Sequence, residues 1–371
     1  MMVKRKFLIV TFGVLLLVYF VLKYKFRALN FNSETSTLRE RLPVMRMDDL
    51  TDGSENESTI HLAVVVCGDR WKETFVLLKS ALLFTKSPVH IYVFADLDLI
   101  QLFNKRLREW QSVTRNNFNF DVLPVKFPAD EFESEWRKLF KPCSSQRLFL
   151  PSLLKDLDSV LYVDTDTLFL GPLEQIWSHF KRMNSSQFAA LAPEHEDPLA
   201  GWYNRFARHP FYKPLGVNTG VMLMNLTRMR KFEWERYLLP IYKKYKLKIP
   251  WGDQDIINII FHFHPDKLYV YPCNYNYRAD HCMYSSVCKQ AEKEGIIVLH
   301  GSRGIFHSGK YPPFDSVYTA MEEYSWGSDP YKDLYLNLER RLDSSNQTNC
   351  GKLKDSFLRN IKKYVNATKT S

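Results

Sequence analysis

Ile60-His61-Leu62-Ala63-Val64-Val65-Val66 is a short apolar run rich in β-branched residues, and it stops at Cys67-Gly68-Asp69. Apolar side chains at nearly every position mark a strand buried on both faces, as in parallel sheets. Phe75, Leu77, Leu78, Ala81, Leu82 and Leu83 follow with helical spacing. His90-Ile91-Tyr92-Val93-Phe94-Ala95 then reads as a second strand, and a second helix is expected around Leu99 to Trp110. This alternation predicts an α/β sheet wound right-handedly. Asp121 to Phe127 reads as a third strand and Ser159-Val160-Leu161-Tyr162-Val163 as a fourth. Such sheets bind ligands beyond the carboxyl ends of their strands, so residues 67–70 and 164–166 are expected to face one crevice.

Outward from that body, the chain's 371 residues, 45% hydrophobic, suffice for a substantial core. The formal net charge of +10 invites a nucleic-acid partner, but Lys4, Arg5, Lys6, Lys23, Lys25 and Arg27 supply most of it. Between those clusters Phe7 to Leu22 is apolar apart from Thr11 and Gly13. As a helix it reaches roughly 24 Å, enough for a thin secretory-pathway bilayer with snorkelling flanks. No small-residue cleavage pattern follows Leu22, so an uncleaved signal-anchor is expected rather than a signal peptide. Basic residues tie across the anchor, but Asn-x-Ser/Thr sequons at Asn56, Asn184, Asn225, Asn346 and Asn366 and all six cysteines lie beyond it. They place the body in an oxidising lumen. Cys273, Cys282 and Cys288 with His281 could suggest zinc, but no Cys-x2-Cys pair exists, and disulfides or buried thiols are expected instead. The expected layout is a cytoplasmic tail (1–6), anchor (7–22), flexible stem (23–59), single catalytic domain (60–330) and polar C-terminal tail (331–371).

Two aspartates one residue apart can present paired carboxylates to a hard cation, which can neutralise a diphosphate leaving group. The chain has four such pairs: Asp96/Asp98, Asp156/Asp158, Asp164/Asp166 and Asp253/Asp255. Asp96 and Asp98 precede a helix and read as N-cap and first-turn acids. Asp156 and Asp158 read as a turn before a strand. Asp164 and Asp166 follow the most apolar strand with no helix to cap, which makes them the candidate metal ligands.

These residues, taken with Arg147-Leu148-Phe149-Leu150-Pro151-Ser152, Leu215-Gly216-Val217-Asn218-Thr219-Gly220 and Trp251-Gly252-Asp253-Gln254-Asp255, resemble the retaining glycosyltransferases of family 8. Within that family the segments look most like the glucoside xylosyltransferases, over about Leu62 to Phe314. The resemblance implies a GT-A fold, Rossmann-like, with a mostly parallel central sheet flanked by helices. It implies Mn²⁺ on Asp164, Asp166 and a late histidine, His300 with His307 as rival. It places Val66, Cys67, Gly68, Asp69 and Arg70 on the nucleotide. It places Arg147 near the diphosphate or the donor sugar, counts Thr165 and Lys310 among the donor-binding residues, and puts Asn218, Thr219 and Gly220 at the donor sugar. Asp253 and Gln254 fall below the anomeric carbon, although an Asp-Gln-Asp opening an apolar helix also serves as a cap. The family spacing has glycine three residues after the histidine and lysine three further. Here Gly301 follows at once and Lys310 comes ten residues later.

The implied reaction is transfer of xylose from UDP-xylose to O-linked glucose on EGF-like repeats, as in Notch, with an α-1,3 linkage. The implied location is the endoplasmic reticulum or Golgi. The residues alone leave open UDP-glucose or UDP-galactose as donor, and a membrane-tethered glycan-binding module without catalysis. A metal-dependent phosphohydrolase would need more clustered His and Asp than the chain offers.

Overall fold

The computed structural model describes residues 59–114, 118–129, 131–139 and 143–369. The expected cytoplasmic tail, anchor, almost all of the stem and Asn56 lie outside the described residues. Among those described, no helix is long and apolar enough to cross a membrane.

The first run forms β1 (Ile60–Val66), joined through helix α1 (Trp71–Phe84) to β2 (Val89–Ala95) and through α2 (Ile100–Val113) to β3 (Phe118–Pro124). All three strands are parallel, and β4 (Ser159–Val163) adds parallel to β1 on its other side. Next come β7 (Val217–Asn225), antiparallel to β4, then β6 (Ala189–Pro193), antiparallel to β7, and β8 (Leu268–Val270), parallel to β6. The seven-stranded order is β3-β2-β1-β4-β7-β6-β8. The two-residue side-chain period of β1 divides it between two cores. Ile60, Leu62, Val64 and Val66 pack with α1 and α2, while Ala63 and Val65 pack with Leu148, Leu150 and helix α3 (Asp253–Phe263).

A second, two-stranded sheet positions the site. β5 (Thr167–Phe169) runs antiparallel to β9 (Val298–His300), with Thr167 opposite His300 and Phe169 opposite Val298. That register places His300 one residue from the Asp164–Asp166 turn, although more than a hundred residues of chain intervene. The Phe169 amide donates to Ser80 Oγ on α1, which ties the small sheet to the first crossover.

Three expectations are corrected. The third strand begins earlier, at Phe118, and ends at Pro124, because its pairing partner runs from Val89 to Ala95. Asp96 does not cap α2: the helix starts after Leu99, and Asp96 Oδ2 instead accepts from the Gly68 amide at 3.0 Å, bracing the loop after β1. Residues 331–369 are not a tail. Leu334, Leu338 and Leu342, then Phe357, Leu358, Ile361 and Val365, lie buried in the core with α4 (Pro312–Glu323), on a π-helical turn Pro330–Leu336 and helices α5 (Asn337–Asp343) and α6 (Lys354–Lys369). The four-residue spacing of Leu334, Leu338 and Leu342, and again of Phe357, Ile361 and Val365, makes an apolar stripe on each helical segment, which the polar composition conceals. The described residues belong to one compact unit, Glu57–Ser371. All six cysteines pair, as Cys67–Cys143, Cys273–Cys288 and Cys282–Cys350, so no zinc cluster forms from them.

Candidate active site

A cavity of about 550 Å³ opens along the carboxyl ends of β1 and β4 and the facing ends of β7 and β6. Sheet order fixes the order of its lining: the loop after β1, the turn after β4, the first residues of β7, then Glu194 beyond β6.

At the β4 end, Asp164, Asp166 and His300 each offer an atom within 4.8 Å of the other two. His300 Nε2 lies 3.3 Å from Asp166 Oδ1 and 3.8 Å from Asp164 Oδ2. The tautomer follows from a chain of bonds that starts at a backbone donor. The Gly220 amide donates to Asn218 Oδ1 at 3.1 Å, and that oxygen also accepts from Asn276 Nδ2 at 2.8 Å. Asn276 Oδ1 is therefore the atom facing His300 Nδ1 at 2.9 Å, so Nδ1 carries the proton. The other ring nitrogen, Nε2, then faces two carboxylates. Such a donor set is complementary to a hard divalent cation, with Asn276 and Asn218 orienting the imidazole from behind. Gly220 packs on the ring itself: a Cβ there would sit 2.1 Å from His300 Cε1.

Arg147 joins this triad to the start of α3. Its guanidinium reaches Asp164 Oδ1 and Asp253 Oδ2, each at 2.7 Å, donates to the Thr219 carbonyl at 2.6 Å and lies over the Tyr162 ring. Burial opposes its charge, but Asp164 and Asp253 outweigh burial and hold the pKa above the usual arginine value. Asp253 Oδ1 also accepts from Ser144 Oγ. Gln254 accepts from the Thr219 amide at 3.2 Å and donates to Tyr203 Oη. Thr219 is thereby held on both sides of its backbone.

Cys67, Gly68, Asp69, Arg70, Arg147, Asp164, Thr165, Asp166, Asn218, Thr219, Asp253, Gln254 and His300 all line the cavity. Three expected residues do not. Val66 faces the core, and Val65 takes its place at the cavity. Gly220 backs His300 and is not among the lining residues. Lys310 is exposed on the surface, because Arg303 and Gly304 adopt φ of 63° and 73° and turn the chain so that Ile305 and Phe306 enter the core. Arg303 lines the cavity instead. The rival His307 pairs with Glu73 at 2.8 Å. The placement of Arg147 also differs in kind from the expectation: its nitrogens are engaged with protein acceptors, so it positions the two carboxylates.

Sequence reasoning missed Glu194, Trp251, Arg278, Asp280, Arg303 and Asn276. Glu194 carried a usable signal, an acid closing an apolar strand as Asp164 does. Arg278 and Asn276 sit in irregular chain and carried none. The Cys67–Cys143 disulfide joins the loop after β1 to the segment bearing Ser144 and Arg147, so Cys67 acts here as a covalent tie.

The crevice, with the Asp164–Asp166–His300 group that could hold a metal at its centre, lies at the sheet ends of a GT-A-like α/β fold. The chain belongs to glycosyl transferase family 8, whose family model matches residues 61–301. It is 50% identical over 317 residues to glucoside xylosyltransferase 1 of Rattus norvegicus, covering 82% of this chain and 72% of that one. It is 49% identical over 320 residues to glucoside xylosyltransferase 2 of Mus musculus, covering 83% and 72%. Mouse xyloside xylosyltransferase 1, apo form, shares the fold with a TM-score of 0.51 at 18% identity, over 67% of this chain and 99% of that one.

Proposed function

We propose that this chain is a retaining glycosyltransferase that moves xylose from UDP-xylose to O-linked glucose on EGF-like repeats, such as those of Notch, in an α-1,3 linkage. The relatives' names supply the sugar and the glucoside acceptor. The observation that carries transfer chemistry is the convergence of His300 Nε2 with the Asp164 and Asp166 carboxylates. Mn²⁺ held by these three residues would neutralise charge developing on the departing UDP.

The chain's own groups do the rest. Arg147 holds Asp164 and Asp253 in register across the cavity floor, and the doubly held Thr219 presents a fixed edge to the donor sugar. Arg70 and Arg303 line the cavity and supply positive charge for the diphosphate. Asp253 is committed to Arg147 and Ser144, and the Gln254 amide oxygen to Thr219, so neither is a free nucleophile. Retention then proceeds by same-face substitution, in which the leaving phosphate takes the proton of the acceptor hydroxyl.

Three disulfides suit an oxidising compartment, which supports a lumenal body in the endoplasmic reticulum or Golgi, held by residues 7–22 as a type II anchor. Protease protection in intact microsomes checks that topology. The reaction is tested by incubating the purified chain with Mn²⁺, a panel of UDP-sugars and a glucosylated EGF-like peptide. A pentose mass increment from UDP-xylose is expected. An increment only from UDP-glucose or UDP-galactose overturns the donor.

A further inference from the structure

Glu73 sits in the first turn of α1, where an acidic side chain ordinarily meets the helix dipole from solvent. This one is 6% exposed, and a buried carboxylate is costly unless cations or donors reach it. Two do. Glu73 Oε2 lies 2.8 Å from Arg70 Nη1, and Oε1 lies 2.8 Å from His307 Nε2. Arg70 belongs to the loop after β1 and lines the cavity, and its Nη2 stands 3.3 Å from Asp166 Oδ2. His307 ends the Ser302–His307 turn that follows β9, in which Ser302, Arg303 and Gly304 line the cavity. Glu73 thus joins the two segments that bring Arg70 and Arg303 to the cavity, while not lining it itself. The Arg70 backbone is held separately, since its carbonyl accepts from Thr74 Oγ1 at 2.9 Å. What Glu73 sets is the direction of a long, partly exposed side chain.

We infer that Glu73 is a positioning residue, which aims the Arg70 guanidinium at the diphosphate and limits its hold on Asp166. The inference rests on the nucleotide-sugar reaction proposed above and adds the residue that orients one of its cations. The guanidinium works as a fork. One Nη is tethered to Glu73 by the short contact, so the other meets Asp166 at 3.3 Å, longer than a close charge-assisted pair. A diphosphate oxygen entering beside Asp166 finds the guanidinium already placed, its lost freedom charged to folding and not to binding. Without the tether, the guanidinium closes on Asp166 and competes with the cation for that carboxylate.

The test is the affinity of UDP in the presence of Mn²⁺, read by calorimetry on the full chain for Glu73→Gln, Glu73→Asp, Arg70→Ala and a variant carrying both Glu73→Gln and Arg70→Ala. Each single change at Glu73 or Arg70 is expected to weaken UDP about tenfold, and the double variant to bind like Arg70→Ala alone. Glu73→Asp keeps the charge but withdraws it by one methylene, so it is expected to match Glu73→Gln. In turnover the donor KM should rise and the acceptor KM stay as in the wild type. Wild-type affinity in any of the single variants overturns the inference. So does a double variant in which the two losses multiply, because a residue that acts through Arg70 has nothing to lose once Arg70 is gone. An acceptor KM raised as much as the donor KM marks a general loosening of the cavity and overturns it too. A wild-type chain that does not bind UDP with Mn²⁺ instead overturns the nucleotide-sugar reaction on which the inference rests.

Discussion

Asp164-Thr165-Asp166 and Asp253-Gln254-Asp255 share one pattern and both reach one cavity, yet they spend their carboxylates differently. In the first turn, Asp164 and Asp166 face His300 Nε2 from a strand end. In the second, Asp253 is closed off by Arg147 and Ser144. Asp255 is fully buried, accepting from Tyr203 Oη at 2.8 Å and the Trp251 amide at 2.8 Å, with His209 Nε2 at 3.3 Å. The first pair also accepts from protein donors, Asp164 from Arg147 and Tyr162 and Asp166 from Arg70, but each keeps its other oxygen toward His300 Nε2, whereas the second pair is spent on Arg147, Ser144, Tyr203 and the Trp251 amide. A short acidic motif therefore has no function until its surroundings show what each carboxylate faces.

The largest effects separate the two turns in crossed fashion. Asp166→Asn should lower transfer about 1000-fold, on the order of 4 kcal/mol of lost transition-state stabilisation. It should also abolish the rise in melting temperature that saturating Mn²⁺ gives the wild type, with the metal-free melt within a few degrees of wild type. A retained Mn²⁺ increment would remove Asp166 from the site. Asp255→Asn should do the reverse. It strands a buried histidine whose two nitrogens face Pro210 O and Asp255, and whose pKa Asp255 raises against the opposing pull of burial. A loss of about 3 kcal/mol in denaturant unfolding is expected, with the Mn²⁺ increment intact in the folded protein. Wild-type stability in Asp255→Asn would mean that the two turns do not differ as described.

The strands were legible where burial is continuous. β1 and β4 lie as read from 60–66 and 159–163, because an unbroken apolar run bounded by turn residues has one reading in an α/β chain. Asp164 and Asp166 stood out because they follow such a run. His300 could be named but not tied to them by spacing, since β5–β9 pairing across the chain makes that contact. Lys310 was misplaced for a local reason, two successive left-handed residues that a regular spacing cannot anticipate. Residues 334–365 were misread because a stripe of one apolar residue per helical turn barely changes composition.

A second histidine sharpens the contrast with His209. His179 is 1% exposed, neither ring nitrogen has a hydrogen-bond partner among the described residues, and Tyr269, Tyr271 and Tyr275 surround it. Burial, with Arg182 adding to it, lowers its pKa to about 4. The folded state thus prefers the neutral ring more than the unfolded chain does. Its stabilising contribution is full above pH 6.5 and is lost as pH falls from there toward 4. The expected loss from this group is about 2 kcal/mol, and His179→Phe should flatten that part of the stability profile. An equal slope in the variant would assign the acid sensitivity elsewhere.

The smallest effect applies the same lesson to the sequons. Asn184 is exposed, its Oδ1 accepts from Ser186 and Gln187, and its Nδ2 has no partner among the described residues, so a glycan can replace an amide hydrogen there at no cost. Asn225 carries the same three-residue pattern but is an N-cap. Its Oδ1 accepts from the Arg228 amide at 2.8 Å while Nδ2 donates to Asp158 Oδ2 at 3.1 Å and Ser159 Oγ at 3.2 Å. A glycan on that nitrogen would sever the contacts that join the end of β7 to the start of β4. Glycopeptide mapping should find Asn184 occupied and Asn225 bare. Asn225→Ala should cost only about 1 kcal/mol, the worth of one cap. High occupancy at Asn225 would show that the side chain is free, and would weaken the principle that separates the two aspartate turns.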